Sequence, residues 1–589
     1  MQRADLLSIG RDVVFLSNGI TAALVEKGAV EWLPFPRFDS ASVFSSVLDS
    51  SKGGYFSIRP DGDFTIRTSY VGNSLIAKNE FSCADGKLEL IDFMPLGVTA
   101  MMRIYRSDVP FFIDIRPVFK YGLINPGLEE KKGGLVFSNP ESEEGIELLI
   151  EGRYSDAGDG RIKIEPGEGS MTLLYSRDLR YGLFSNIGFV YPDPKEAMDA
   201  TLKYWEGQIG IAHNVAAFGD AYRRSLSVIL GLMYAPSGGA IAAPTTSLPE
   251  IIGKGRNWDY RYVWIRDASY AAEALAKSGL LYKSRSILSF IFSLVDPSSK
   301  SFDHPLYTVD GTPPKAEETL GWLSGHMGSK PVRIGNAAYL QVQADSEGDF
   351  INALATYYSI SKDREYIIEN WWAIEAIVRW IKKSWKEPSV SMWEERGERR
   401  HLLHTKMMCW VVMDRVAMLA KETDNNMQAD ECRKMSIQIK EDIMKNGISE
   451  DGTFSHFYGG SEVDSTLLTM PLYGLVDIGD ERFKATLEKV ISELGTKDGL
   501  LRRYNRDSEG EAAHPFILVN TWLSRVYSML GERKKAENLL SRIIASSTDL
   551  LLMPEHVDRD TKEPRGNIPQ LFSHSGVIEA ILDLDRAKG

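Results

Sequence analysis

DPKEAMDATLKYWEG, residues 193–207, divides the patterning of the chain in two. It is polar with helical spacing, and reads as a linker helix over 193–212. Before it, apolar residues come in short runs such as Thr21–Val25, Phe111–Phe119, Gly145–Ile150 and Ser170–Tyr175, separated by Gly, Pro, Asn and Asp. Runs of this kind with no helical periodicity between them predict an N-terminal antiparallel β-sandwich over 1–192. After it, Tyr282–Val295, Glu347–Ile360, Glu365–Trp385, His404–Lys421 and Phe516–Leu530 are among many stretches with helical periodicity. Over 213–589 they need a common core, and several look apolar nearly all round, as an inner set of helices buried by an outer set would be. No short repeat recurs at fixed period, which favours a closed toroid over an open solenoid. The fold class is multidomain β + α.

A chain of 589 residues exceeds what one ordinary core supports, in keeping with two domains. Its formal net charge of -13 opposes binding to nucleic acid or to anionic membranes and leaves a neutral partner as the better fit. Cys83, Cys409 and Cys432 have neither metal-ligand nor redox spacing. The opening MQRADLLSIGRDVVFLSNG contains no apolar run of signal length, and nowhere are there eighteen consecutive apolar residues. The expected compartment is the cytoplasm, which weights the reading toward small substrates.

The stretches between helices are long and rich in Gly, Pro, Trp and acids, and loops of that length in a compact domain usually carry function. Three stand out. In Ser391-Met392-Trp393-Glu394-Glu395-Arg396-Gly397 two adjacent glutamates follow a tryptophan. Mutual repulsion between neighbouring carboxyls favours a proton on one of them, as a general acid needs, although a solvated acidic turn answered by Arg396, Arg399 and Arg400 is the more ordinary reading of spacing alone. In Met553-Pro554-Glu555-His556 an acid precedes the last helix. In Arg256 to Ala268, NWDYRYVWIRDA after an arginine, aromatic rings and hydrogen-bonding groups alternate, a mixture suited to the C–H faces and hydroxyl edges of a pyranose. Singly, Trp258 and Trp264 could equally be core anchors, and Asp267 could cap a helix beginning at Ala268. Two carboxyl groups on opposite sides of an anomeric carbon are what hydrolysis of a glycosidic bond requires.

AAPTTSLPE at 242–250, NWDYRYVWIRDA at 257–268, VRIGNAAYLQ at 332–341, WEERGERRHLLHTKMMCW at 393–410 and NIPQLFSH at 567–574, in that order, resemble family 15 of the glycoside hydrolases, which contains glucoamylases, glucodextranases and trehalases. TAALV at 21–25 and LPFPRFDS at 33–40 resemble the β-domain of the family's prokaryotic trehalase-like members. The resemblance implies a β-sandwich joined by the linker helix to an (α/α)6 barrel with the site at its mouth. Position by position it implies Glu394 as general acid and Glu555 as general base, with Tyr260, Trp264, Arg266, Asp267, Trp393, Glu395 and Arg503 around the substrate. His556 departs from the pattern, since many relatives carry glutamine or another polar residue there.

The implied activity is exo-acting, inverting hydrolysis of α-glucosidic bonds, releasing β-glucose from the non-reducing end of maltooligosaccharides or small α-glucosides, as a glucoamylase does. The alternative is a trehalase splitting α,α-trehalose into two glucoses. A glycoside phosphorylase would dispense with a base such as Glu555, and a catalytically silent carbohydrate-binding protein would have no use for both acids. The expected partner is a small carbohydrate. No cofactor is expected, and no metal: His401 and His404 share a helical face, but spacing offers no third ligand.

Overall fold

The computed structural model describes residues 10–158, 161–179, 193–296, 298, 301–395, 397–507 and 510–586. Two eight-stranded sheets make up the N-terminal part. One runs, in spatial order, Val14–Ser17, Ala22–Glu26, Ala29–Pro34, Tyr55–Pro60, Phe111–Arg116, Arg161–Ile164, Tyr154–Asp156, with Ser42–Phe44 joined to Ala29–Pro34. The other runs Gly127–Lys131, Gly134–Ser138, Gly145–Glu151, Gly167–Ser176, Ala100–Ser107, Gly86–Phe93, Ala77–Cys83, Phe64–Tyr70. Neighbouring strands are antiparallel throughout.

Side chains alternate across a strand, and here both faces of the first strands are used. Val14, Leu16, Ala23 and Val25 enter the core between the sheets with Leu88, Leu90, Met101 and Leu173. Phe15, Ala22, Leu24 and Trp32 face the other way and join the core of the helical part. That double burial explains the uninterrupted apolar run at 21–25. The two parts approach closely at Gly231, where a Cβ would lie 2.5 Å from Leu75 and 2.9 Å from Phe15.

A charged pair sits inside the sandwich. Asp92 and Arg103 are directly opposite on adjacent strands, and both side chains are inaccessible to solvent. Arg103 Nε and Nη2 donate to the two oxygens of Asp92 at 2.8 and 3.0 Å, Nη2 also donates at 2.9 Å to Gly28 O, in the turn joining Ala22–Glu26 to Ala29–Pro34 of the other sheet, and the guanidinium lies 4.7 Å from the Phe56 ring centroid.

Asp193 begins the helical part by capping α1 (Pro194–Ile209), accepting from the backbone N–H groups of Lys195 and Glu196. There follow α2 (Gly219–Leu232), α3 (Ile265–Lys277), α4 (Leu281–Ser293), α5 (Asp345–Ser361), α6 (Arg364–Glu369), α7 (Trp371–Ser384), α8 (Leu403–Glu422), α9 (Asn426–Asn446), α10 (Met470–Tyr473), α11 (Glu481–Leu494), α12 (Ile517–Met529), α13 (Arg533–Ala545) and α14 (Leu571–Arg586). Helix α3 packs on α5, α5 on α8, α12 on α14 and α14 back on α3. Between α8 and α12 the inner position is filled by a 3-10 turn, Ser465–Thr469, running into α10. Helices α2, α4, α6 with α7, α9, α11 and α13 form the outer layer of this (α/α)6 barrel. The inner α8 is buried along almost its whole surface, whereas α9 buries only the stripe Cys432, Ser436, Ile439 and Ile443.

Local readings differ from this in places. The stretch Glu365–Trp385 is two helices, α6 and α7, broken at Asn370 (φ -103°, ψ 12°). Asp267 caps nothing, because α3 starts at Ile265 with Trp264 at its cap position. No helix among the described residues is long and apolar enough to cross a membrane.

Asp92→Ala should destabilise the chain by about 3–5 kcal/mol, because it leaves the Arg103 charge buried and alone. The double change Asp92→Leu with Arg103→Met should recover most of that loss in urea unfolding. Equal losses in the single and double variants would show that the charge is not the cause.

Candidate active site

Residues 242–247 and 258–262 run antiparallel at the mouth of the barrel: Ala242 and Ala243 N–H donate to Tyr262 and Tyr260 O at 2.9 Å each, and Ser247 N–H to Trp258 O at 2.9 Å. Pairing fixes which side chains of the aromatic stretch share a face. Trp258 and Tyr260 line a cavity of about 230 Å3, together with Arg256, Asn336, Gln341, Trp393, Glu394, Glu395, Arg503 and Tyr504. Asp259 and Arg261, on the opposite face, are fully buried. A second cavity of about 540 Å3 shares Glu395 and Tyr504 with the first and is also lined by Arg400, His456, Asp464 and Arg506.

Glu394 projects from a tight turn. Its own N–H donates to Ser391 O at 3.0 Å, the Ser391 hydroxyl accepts from Trp393 N–H at 3.0 Å, and Glu394 adopts φ +60°, a left-handed conformation that disfavours any residue with a Cβ. Its Oε1 accepts from Trp264 Nε1 at 2.6 Å, Gln343 Nε2 at 3.2 Å and Arg266 Nη2 at 3.3 Å, and its carbonyl from Gln341 Nε2 at 3.2 Å. Among the described residues, a cation that answers Glu394 is Arg266 of α3; Arg400 lies over the Phe457 ring, and Arg396 lies outside the described residues. Arg266 is itself held by Asp345 Oδ2 at 3.3 Å and Gln343 Oε1 at 3.1 Å.

Glu555 is joined to the cavity wall through Tyr260. Its Oε1 accepts from the Tyr260 hydroxyl at 2.8 Å and Gln570 Nε2 at 3.3 Å. The Tyr260 and Trp264 rings, one holding each carboxyl, meet edge to face with centroids 5.6 Å apart. Only glycine fits at 566, where φ is +80° and a Cβ would come within 2.7 Å of Glu555 Oε2. Burial pushes the Glu555 carboxyl up to about 7, against the opposing pull of the Arg503 charge and the Tyr260 hydroxyl. Asp267 is likewise raised to about 7 by burial, with Arg266 opposing.

The predicted residues thus gather in one place, but in two tiers. Tyr260, Trp393, Glu394, Glu395 and Arg503 line the cavity, while Trp264, Arg266 and Asp267 stand behind it, and Glu555 is reached through Tyr260. Trp393 donates through Nε1 to Asp464 Oδ2 at 2.9 Å and packs edge-on against Phe516. Arg503 Nη2 donates to Glu250 Oε2 at 2.8 Å. Burial lowers His556 to about 3, so it is neutral, 3.8 Å from both Glu250 and Glu555, and the amide that reaches Glu555 comes from Gln570 instead. Sequence reasoning did not assign Arg256, Trp258, Glu250, Gln341, Gln343 or Gln570. All but Gln343 lie in the blocks quoted above, so the available signal was their place beside the assigned residues. Among the described residues, no group of three or more His, Cys, Asp or Glu side chains could hold a metal ion.

Because its folded pKa is raised above the ordinary carboxyl value, Glu555 binds its proton more tightly in the folded state. The resulting stabilisation is full below the ordinary value and is lost as pH rises through about 7. Glu555→Gln should accordingly be more heat-stable than the unaltered chain at pH 8 and indistinguishable at pH 4. In 13C spectra of labelled glutamate, the resonance missing from Glu555→Gln should titrate near 7 and move upward in Tyr260→Phe, which removes a donor to the ionised form. An ordinary pKa for that resonance would refute this electrostatic account.

The family model described as "Glycosyl hydrolases family 15" matches residues 216–582, and one described as "Trehalase-like, N-terminal" matches 4–151. The chain is 52% identical over 573 residues to Trehalase 2 of Sulfolobus acidocaldarius, covering 97% of this chain and 99% of that one. It is 41% identical to Trehalase 1 of the same organism, covering 97% and 98%, and 31% identical to a trehalase of Mycolicibacterium smegmatis, covering 98% and 91%. A crystal structure of a bacterial glucoamylase complexed with acarbose superposes with a TM-score of 0.74 at 14% identity, covering 98% of this chain and 95% of that one, which shows the shared fold. The chain belongs to glycosyl hydrolase family 15.

Proposed function

We propose that this chain is an inverting trehalase, cleaving α,α-trehalose into two molecules of glucose. The observation that carries the choice of substrate is near full-length identity of 52% and 41% to two trehalases. It favours the alternative reached from sequence over the glucoamylase-type reading preferred there. The two cavities meeting at Glu395 and Tyr504 support a substrate of two rings, one on either side of the scissile bond.

In this reading Glu394 is the general acid. Its Oε1 is occupied by donors from Trp264, Gln343 and Arg266, which leaves Oε2 as the oxygen to hand a proton to the substrate. Glu555 is the general base. Tyr260 and Gln570 occupy its Oε1, leaving Oε2 to take a proton from water. Water attacks the anomeric carbon as that carbon's bond to the bridging oxygen breaks, and Glu394 delivers its proton to that oxygen. The attacked ring leaves as β-glucose and the departing ring as α-glucose. A base titrating near 7 is poised to accept a proton at neutral pH and is lost to protonation below it. Trp258 and Tyr260 offer rings to sugar C–H faces, and Arg256 and Arg503 offer donors to hydroxyls.

Proton NMR of freshly cleaved trehalose tests both substrate and stereochemistry. The expected initial products are α- and β-glucose in equal amounts, and Glu394→Gln and Glu555→Gln should each reduce turnover by about 10²–10⁴-fold. Release of α-glucose alone would mean retention and would sink the assignment of Glu555 as base. Turnover of maltose or maltotriose but not trehalose would return the glucoamylase-type reading.

A further inference from the structure

The face of the 258–264 stretch turned away from the cavity makes a second set of contacts. Arg261 and Asp259 form a two-pronged ion pair, Nε to Oδ1 at 2.8 Å and Nη2 to Oδ2 at 2.7 Å, with at most 1% of either side chain exposed. The groups that enclose it belong to the β-sandwich. Arg261 Nη1 donates to Ser40 O at 2.6 Å, and its guanidinium lies 5.6 Å from the ring centroids of both Trp32 and Tyr121. Tyr121 is presented by a turn in which it takes φ +55°, and its carbonyl accepts from Trp322 Nε1 of the barrel at 3.0 Å. Trp32 Nε1 donates to Pro244 O at 2.7 Å, in the segment that pairs with Trp258–Tyr262.

The same pair reaches the opposite wall of the cavity. Asp259 Oδ2 accepts from Gly335 N–H at 3.2 Å, and Asp259 O from Asn336 Nδ2 at 3.3 Å, and residues 336–338 line the pocket. Withdrawing two charges from water is costly, and an apolar pair of equal volume would serve stability as well. What an apolar pair lacks is direction: the planar guanidinium fork fixes the strand's rotation, and with it where Tyr260 and Trp264 point.

We propose that the β-sandwich positions the two catalytic carboxyls, clamping the Asp259–Arg261 pair so that Tyr260 is held against Glu555 and Trp264 against Glu394. Trp32, Ser40 and Tyr121 are positioning residues, touching neither substrate nor reacting atoms. The inference rests on the acid–base reading of Glu394 and Glu555.

Arg261→Lys keeps the charge and loses the fork, and Trp32→Phe keeps the ring and loses the N–H. Arg11→Ala cuts a different link between the two parts, the ion pair with Asp549 at 2.9 Å, and serves as the control. Per folded molecule, Arg261→Lys should lower kcat by about 10–100-fold, the scale on which small misplacements of catalytic groups act. KM should change far less, and the acid limb of the pH profile should move upward as Tyr260 loosens from Glu555. Trp32→Phe should move the same quantities less, and Arg11→Ala should leave them unchanged. Hydrogen exchange supplies a readout independent of turnover: amides in 258–264 and 335–338 should exchange faster in Arg261→Lys and Trp32→Phe but not in Arg11→Ala. If Arg261→Lys fails to fold, Trp32→Phe decides. Unaltered kcat, acid limb and exchange in a folded variant would overturn the clamp, as would an equal effect from Arg11→Ala. Failure of the unaltered chain to cleave trehalose would count against the substrate alone, because variant ratios can then be read on maltose and exchange needs no substrate.

Discussion

Burial of both faces of one short extended segment, 258–264, is the constraint around which the site is arranged. A strand whose side chains alternate can serve two environments at once, and here one is the sugar-sized cavity and the other the seam with the β-sandwich. Because the segment is paired on one edge with 242–247, it has no freedom to rotate without breaking backbone hydrogen bonds. It then runs directly into α3, so the helix that supplies Arg266 starts from a fixed place. The two carboxyls are held by side chains of this single stretch, Trp264 on one and Tyr260 on the other, although they lie far apart in sequence.

Behind the cavity the interior of the helical ring is unusually polar for a buried region. Asp345, Asp349 and Glu347 all project from the first turns of α5 and are buried. Burial raises Glu347 to about 8, so it holds its proton at neutral pH, and raises Asp349 well above the ordinary range; Asp349 accepts from the Tyr473 hydroxyl at 2.9 Å. Asp345 instead faces Arg266, which carries the positive charge of the region between Asp267, Asp345 and Glu394. Further along α3, Lys277 bridges Glu273 and Glu579 at 2.5 and 2.9 Å, and Glu579 is also met by Arg525. Inner helices of a ring cannot turn polar residues to solvent, so each such group is met by a partner or kept neutral.

Legibility in the sequence followed length and period. Strands around Thr21–Val25 and helices such as α5, α8, α9 and α12 announce themselves because many residues repeat one pattern. The inner element at Ser465–Tyr473 does not, since a 3-10 turn and a single helical turn are too short for any period to show. The break at Asn370 was equally hidden, because apolar residues continue on both sides of it. At the site, Glu394 and Glu555 could be singled out from residue type, from their place in long stretches between helices and from the family resemblance. Their partners Gln343 and Gln570 were not assigned, because an amide becomes functional only when folding aims it at a carboxyl.

The two-part architecture, the helical ring, the family and the cluster of aromatic and acidic residues from which the site is made were all readable from residue order alone. These are properties of local periodicity and of residue types in a fixed order, and they survive without coordinates. Tertiary structure decided which arginine answers Glu394, which hydroxyl holds Glu555, and that burial lifts the Glu555 carboxyl to about 7 while leaving His556 neutral. It also decided that a pair of residues beside the site, Asp259 and Arg261, faces the β-sandwich. Electrostatic environment depends on distance and exclusion of water, and both are set by groups hundreds of residues apart in the chain.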